Sequence, residues 1–147
     1  MTAELLADPL PRHVLVMLWL LPCAIQDRRT RHVSNWLTVP FFLVAWPVAL
    51  LTGHLALTCA VFVGVYVATK LEPRAGAADG KLMIGLAAFA PLALGIGVLL
   101  ELTVFAALRL RGWRDVKIPG GLWLYLGTLL SVVLLAMTAV PGSQGMG

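Results

Sequence analysis

Charged side chains are scarce in this 147-residue sequence: its 7 acidic and 11 basic residues make up only 12% of the chain. A soluble domain carries about 25% charged residues. Hydrophobic residues make up 60%, so too few polar side chains remain to cover a globule in water. This composition excludes an ordinary soluble enzyme and a disordered chain, and it predicts a protein embedded in a lipid bilayer.

Cysteine is also scarce, with only Cys23 and Cys59, both inside apolar runs. Two such cysteines cannot build a four-cysteine zinc site or a disulfide-stapled secreted domain. The three histidines are scattered and lack the spacing of metal ligands. The sequence therefore gives no reason to expect a metal or another cofactor.

The apolar runs predict an all-α membrane protein, a polytopic bundle formed by one domain over residues 1–147. The stretch 82–110 has 29 residues, about 43 Å as a helix, which is too long for a hydrocarbon core of about 30 Å. Pro91, Gly95 and Gly97 offer a break within it. Six spans are predicted, at about 11–26, 36–51, 55–69, 80–91, 95–110 and 122–140.

Ten of the 11 basic residues fall into three short connections between apolar runs, at 28–35, 70–81 and 109–119. This distribution is the positive-inside pattern of membrane proteins rather than a surface for nucleic acid. Six spans place all three connections in the cytoplasm and both termini outside.

Three acidic residues lie at or within the membrane segments, where an ionisable group is costly and points to function. They are Asp27, Asp79 and Glu101. Glu101 could face the bundle interior, mark a substrate path or make a structural hydrogen bond. The other acidic residues lie in the tail or the basic loops and are expected to be solvated.

The topology places Asp27 and Asp79 at the same membrane face and at similar depth. Two aspartates brought together in a low-dielectric site cannot both ionise easily, so one keeps its proton. Such a pair can act as acid and base on one water molecule. The alternative is that each aspartate merely pairs with a neighbouring cation, Arg28 or Lys81.

The sequences around the two aspartates support the first interpretation. Asp27 precedes a basic stretch and then Val33-Ser34-Asn35-Trp36-Leu37, in which Asn35 can cap the next helix. Asp79 lies in Gly76-Ala77-Ala78-Asp79-Gly80-Lys81-Leu82, whose small residues Gly76, Ala78 and Gly80 allow close approach of backbones. Lys81 could act on Asp79 or anchor its helix at lipid headgroups.

These two segments resemble the paired motifs of the prepilin peptidases, membrane aspartic proteases that process type IV prepilins and archaeal preflagellins. The family pattern is an aspartate, a basic stretch and Ile-Pro-Asn, followed later by Gly-x-Gly-Asp-x-Lys-Leu. Ser34 stands in place of the proline, and Ala78 in place of the second glycine. A weaker likeness is Lys117-Ile118-Pro119-Gly120-Gly121, where Pro119 and Gly120 match a Pro/Gly entry to the last span.

The resemblance is to the short form of the family, which has only the peptidase domain. It implies an endopeptidase that cleaves the leader of a prepilin-like substrate at the cytoplasmic face, with Asp27 and Asp79 catalytic and no metal or cofactor. It implies a multi-pass protein of the cytoplasmic (inner) membrane of a prokaryote, serving type IV pilus assembly or protein secretion. Its partners would be the prepilin-like substrate and the lipid bilayer, without nucleic acid, and homo-oligomerisation is left open.

Two alternatives remain at the level of the sequence. In the first, a small transporter or channel component uses the intramembrane aspartates to bind cations or relay protons. In the second, the chain is a catalytically inactive relative that only binds prepilins.

Overall fold

The computed structural model describes residues 8–30, 32–71, 77–113 and 119–139, and these residues form six α-helices. The all-α prediction is confirmed. The helices are α1 (Pro9–Thr30), α2 (Asn35–Thr52), α3 (Leu55–Leu71), α4 (Ala77–Phe89), α5 (Pro91–Leu110) and α6 (Gly120–Ala139).

The ends of α2 are set by local chemistry. The Ser34 hydroxyl accepts a hydrogen bond from the Trp36 backbone N–H at 3.3 Å, so Ser34 caps the helix. The prediction that Asn35 is the cap is therefore wrong, and Asn35 is the first helical residue. At the other end Gly53 adopts φ +75°, a left-handed conformation that only glycine adopts at little cost.

Helix α4 lies at the centre of the bundle and contacts all five other helices. Its residues Leu82 and Ile84, and every residue from Leu86 to Ala90, are buried. A helix that is apolar on all sides is expected in such a central position. Asp79, in the first turn of this helix, is therefore held by the best-packed element of the fold.

The break between α4 and α5 is a single residue, Ala90, rather than the turn predicted near 91–95. Pro91 lacks a backbone N–H and has the φ angle of a first helical residue, so it ends α4 and begins α5. The Ala88 carbonyl accepts hydrogen bonds from the Thr52 hydroxyl at 3.3 Å and from His54 Nδ1 at 3.1 Å. The helix break leaves the Ala88 carbonyl without its usual partner in the helix. The side chains of Thr52 and His54 provide hydrogen bonds in its place.

Helices α5 and α6 pack closely through glycine. A Cβ at Gly97 would lie 3.1 Å from the Leu124 Cα, and one at Gly127 would lie 2.7 Å from the Ala93 carbonyl oxygen. Because low residue numbers on α5 meet high numbers on α6, the two helices run antiparallel. Small residues at such contacts are what helix association in a membrane requires.

By length and composition, three of the helices are able to cross a membrane: Asn35–Thr52, Pro91–Leu110 and Gly120–Ala139. Helix α4 has only 13 residues, about 20 Å, which is less than the hydrocarbon thickness of about 30 Å. Six complete spans thus stay a prediction, whereas a membrane protein is supported. The apolar side chains exposed around the bundle are suited to contact with lipid.

Candidate active site

Asp27 lies inside α1 and is 6% exposed. The sequence predicted that the first span stops near residue 26, but the helix continues to Thr30. The Thr30 hydroxyl contributes to this extension by bonding to the Gln26 carbonyl at 2.9 Å. The aspartate consequently points from a regular helix into the bundle rather than from a loop.

The carboxylate of Asp27 is bound by the beginning of the last helix. Its Oδ2 accepts a hydrogen bond of 3.0 Å from the backbone N–H of Gly121. An N–H in the first turn of a helix has no partner within the helix, and the helix dipole there favours a negative charge. This contact joins residues that are 94 positions apart in the chain.

The neighbouring residue, Gly120, contacts the other aspartate. A Cβ at Gly120 would lie 2.7 Å from Asp79 Oδ2, and one at Gly121 would lie 3.1 Å from Asp27 Oδ2. A side chain at Gly120 would have to displace the Asp79 carboxylate, and one at Gly121 would crowd the Asp27 carboxylate. The structure therefore brings Asp27 and Asp79 together at two consecutive residues of α6.

Asp79 is half-buried in the first turn of α4, before the apolar part of that helix. Burial, together with the charges of Asp27 and Glu101, raises the pKa of the Asp79 carboxyl from its ordinary value to about 6. Asp79 is thus inclined to keep a proton while a carboxylate stands beside it. This is the electrostatic arrangement that acid–base chemistry on one water molecule needs.

Lys81 and Asn35 join the two motif segments. The Lys81 ammonium donates a hydrogen bond of 3.0 Å to Asn35 Oδ1, which ties the start of α4 to the start of α2. Within the described residues Lys81 forms no ion pair with Asp79. Lys81 and Asn35 thus link the two motif segments beside the site, and we call this contact the Lys81–Asn35 clasp. Neither interpretation of Lys81 from the sequence included this role.

The small residues before Lys81 serve helix packing. A Cβ at Gly80 would collide with the Val65 side chain of α3, and Ala78 packs at the edge of the apolar core. Gly76 lies outside the described residues, as do the basic-loop residues Glu72, Asp115 and Lys117. Pro119 is described and directly precedes α6.

Two residues that contact the site were not predicted from the sequence. Gly121 supplies the donor to Asp27, and Gln26 Oε1 accepts the Ser34 N–H at 2.9 Å, holding the segment after α1. The pair Gly120-Gly121 before an apolar run was a signal for the first, because a double glycine at a helix start indicates close contact. No pattern in the sequence indicated the hydrogen bond between Gln26 and Ser34.

An open groove of about 380 Å³ lies beside α1, lined by Pro22, Ile25, Gln26, Arg29, Thr30 and Leu37. On a helical wheel Pro22, Ile25 and Arg29 lie about 140° to 160° from Asp27, and neither aspartate lines the groove. The groove is therefore not part of the aspartate site. Among the described residues, no group of three or more histidine, cysteine or acidic side chains could hold a metal ion.

Comparison with known proteins identifies a protein family that the chain matches. A search of protein-family models matches residues 14–111, about two thirds of the chain, to the type IV leader peptidase family. That range includes Asp27 and Asp79, whereas Gly120 and Gly121 follow it. No curated protein and no solved structure is significantly similar to the chain. The match over most of the sequence shows that the chain belongs to the type IV leader peptidase family.

Proposed function

We propose that this protein is a membrane aspartic endopeptidase that removes the leader peptide from prepilin-like or preflagellin-like substrates. Membership of the leader peptidase family supports a protease that acts on leaders. The aspartic mechanism, the substrate and the membrane face go beyond that membership, and they are argued from the site.

One observation carries the aspartic mechanism: Asp27 and Asp79 both contact the Gly120-Gly121 pair at the start of α6. Two carboxylates from different helices converge there, one with a backbone donor and one half-buried. A merely structural aspartate would be expected to pair with a cation, yet the described residues place no Lys or Arg in an ion pair with either group. The convergence favours catalysis over structural pairing.

The proposed reaction begins with Asp27 as the carboxylate and Asp79 as the acid. A water oxygen attacks the carbonyl carbon of the scissile peptide bond, and Asp27 takes the water proton while Asp79 protonates the carbonyl oxygen. The C–N bond then breaks as Asp27 gives its proton to the leaving amine. Asp79 recovers a proton from the product's hydroxyl, so both groups return to their starting state.

The proposed site faces the cytoplasm of a prokaryotic cell. In the sequence, the basic connections at 28–35, 70–81 and 109–119 directly follow Asp27, include Asp79 and directly precede Gly120. Positive charge is retained on the cytoplasmic side. The apolar helix of a prepilin would lie in the bilayer, with its leader reaching the aspartates from the cytoplasm. Labelling of position 115 from outside intact cells would contradict this orientation.

Cleavage of a co-expressed prepilin-like protein tests the proposal. We expect Asp27→Asn and Asp79→Asn each to remove nearly all cleavage, and the double variant to be little worse, because the two carboxylates act as a unit. Glu72→Gln and Asp115→Asn are the matched controls, since they make the same chemical change in the basic loops. Normal cleavage by either single aspartate variant, at equal membrane expression, would exclude the dyad.

The same experiment separates the two alternatives from the peptidase. An inactive prepilin-binding relative would capture the substrate without cutting it in the parent protein. A transporter or channel component would leave the substrate intact, and its transport would respond to Asp79→Asn. Substrate cleavage that is lost in that variant supports the peptidase alone.

A further inference from the structure

A third acidic residue, Glu101 of α5, lies at the level of the aspartate site although it belongs to neither motif. Its position follows from the antiparallel packing of α5 and α6. Gly97 packs against the backbone of Leu124, and Gly127 packs against Ala93 and Gly97. These contacts fix the register of the two helices.

The register places Glu101 opposite Gly120. Glu101 follows Gly97 by four residues, about 6 Å along the axis, and the same distance on α6 leads from Leu124 back to Gly120. Ala93, Gly97 and Glu101 are spaced four apart, so they lie along the face of α5 that packs on α6. Glu101 therefore stands beside the glycine that contacts Asp79.

Glu101 is half-buried, and within the described residues its carboxylate has no hydrogen bond or ion pair. Its charge is one of the causes of the raised pKa of the Asp79 carboxyl. A half-buried carboxylate without a partner, on the helix face next to the aspartate site, is not explained by stability.

The nearest cations on the surrounding helices are engaged elsewhere. Lys81 of α4 bonds to Asn35, Lys70 of α3 lies over the Tyr66 ring, and Arg109 of α5 lies over the Phe105 ring. On α1, Arg28 and Arg29 are exposed, and α6 has no charged residue. Among the residues that the structure describes, the charged groups that act on Asp79 are thus Asp27 and Glu101.

We propose that Glu101 is a positioning residue that favours retention of one proton on the Asp27–Asp79 pair. Three carboxylates in a site of low dielectric do not all ionise easily, so the charge of Glu101 makes loss of a proton from the pair more costly. Retention of that proton maintains the acid that the reaction needs. This inference rests on the proposed function, but its central claim concerns the proton and can be tested without a substrate.

Protonated carboxyl groups in membranes react with a hydrophobic carbodiimide, whereas ionised groups do not. We would measure carbodiimide labelling of Asp79 against pH in membranes that contain the full chain, with mass spectrometry to locate the label. In Glu101→Gln we expect the labelling midpoint to fall by about half to one pH unit. Glu72→Gln, the matched control in a basic loop, should leave the midpoint unchanged.

Cleavage of a prepilin-like substrate gives the second measurement. In Glu101→Gln the alkaline limb of the pH profile should move to lower pH by the same amount. The loss at pH 8 should then be about three- to tenfold, with less than about a twofold loss at pH 5. Glu101→Asp keeps the charge and should restore most of the activity at pH 8.

An unchanged labelling midpoint in Glu101→Gln would overturn the inference, and so would an equal loss of cleavage at every pH. If the parent protein fails to cleave a prepilin-like substrate, the proposed peptidase function is contradicted. The shift of the labelling midpoint still decides the role of Glu101. If Glu101→Gln does not accumulate in membranes, Glu101→Asp decides. Because this variant keeps the charge, its midpoint should stay close to the parent value, and a fall of about half to one pH unit would contradict the inference.

Discussion

Asp27 Oδ2 accepts the Gly121 N–H at 3.0 Å, a bond that ties the first described helix to the last. The adjacent Gly120 touches Asp79. The positions of the two aspartates thus depend on two residues that have no side chains, and substitution of these glycines tests the site without altering an acidic group.

We expect Gly120→Ala to reduce cleavage by about 10- to 100-fold, because its methyl group must displace the Asp79 carboxylate and small misplacements of reacting groups are costly. Gly121→Ala should cause a smaller loss, since its Cβ would stand 3.1 Å from Asp27 Oδ2 and the side chain needs to shift only slightly. Rates should be measured at equal membrane expression.

Gly95→Ala is the matched control for this pair. Gly95 lies within α5, and a Cβ there meets nothing within 4 Å. It should cleave normally and be more stable by up to about 1 kcal/mol, the helix propensity difference between alanine and glycine. Equal losses in Gly95→Ala and Gly120→Ala would show that contact with Asp79 is irrelevant.

The buried position of Asp79 predicts a pH-dependent effect of Asp79→Asn on stability. The pKa of Asp79 rises from 3.8 to about 6 on folding, so the folded state binds more protons than the unfolded state between these values. The parent protein therefore loses stability as the pH rises through this window, and asparagine removes that loss.

At pH 8, Asp79→Asn should accordingly be more stable than the parent by about 1 to 3 kcal/mol. The difference should shrink towards pH 4, where Asp79 is protonated in the folded state and about half protonated in the unfolded chain, because pH 4 is close to the ordinary pKa of 3.8. Thermal unfolding in detergent at both pH values measures the effect. A variant that is less stable than the parent at pH 8 would contradict the burial of this carboxyl.

The Lys81–Asn35 clasp should appear as an energetic coupling between the two motif segments. Lys81→Met and Asn35→Ala should each lower the free energy of unfolding by about 0.5 to 1 kcal/mol, and the double variant should be no worse than either. Lys70→Met, which loses only a contact over the Tyr66 ring, is the control. Additive losses from Lys81→Met and Asn35→Ala would mean that the two residues act independently.

Close packing of α5 on α6 makes Gly127 intolerant of a side chain. A Cβ there would press on the Gly97 backbone and on the Ala93 carbonyl, so Gly127→Ala should destabilise the protein by about 1 to 3 kcal/mol. Gly64→Ala of α3 is the matched control because a Cβ at Gly64 meets nothing within 4 Å. Similar melting temperatures for the two variants would be inconsistent with this contact.

The sequence predicts the helices of this fold well because their apolar runs are long and their connections carry charge. The sequence does not predict the exact first and last residues of these helices. Ser34 and Asn35 are both good helix caps, and the contact of Asn35 with Lys81, 46 positions away, is compatible with Ser34 as the cap. Pro91 was recognised as a breaker, but the turn was expected to extend to Gly95 because glycines there also suggested a break. These glycines lie inside α5, where Gly97 serves packing instead.

The candidate site was predictable only in part. Charge scarcity and motif spacing singled out Asp27 and Asp79, because acidic residues in an apolar chain are few. The contact between Asp27 and Gly121 depends on the register of two helices that are distant in the chain, and no local pattern encodes that register. The position of Glu101 opposite Gly120 could not be predicted for the same reason, because it depends on the contact between Gly97 and Leu124.

The last helix has a consequence for the order in which this protein is made. A nascent chain that has passed residue 79 already contains both aspartates, but it lacks the glycine pair that holds their carboxylates. The site is assembled only when α6 leaves the ribosome and docks, and the N–H of Gly121 then arrives with it. The contacts of the site are therefore completed by a helix that begins 41 residues after Asp79 in the chain.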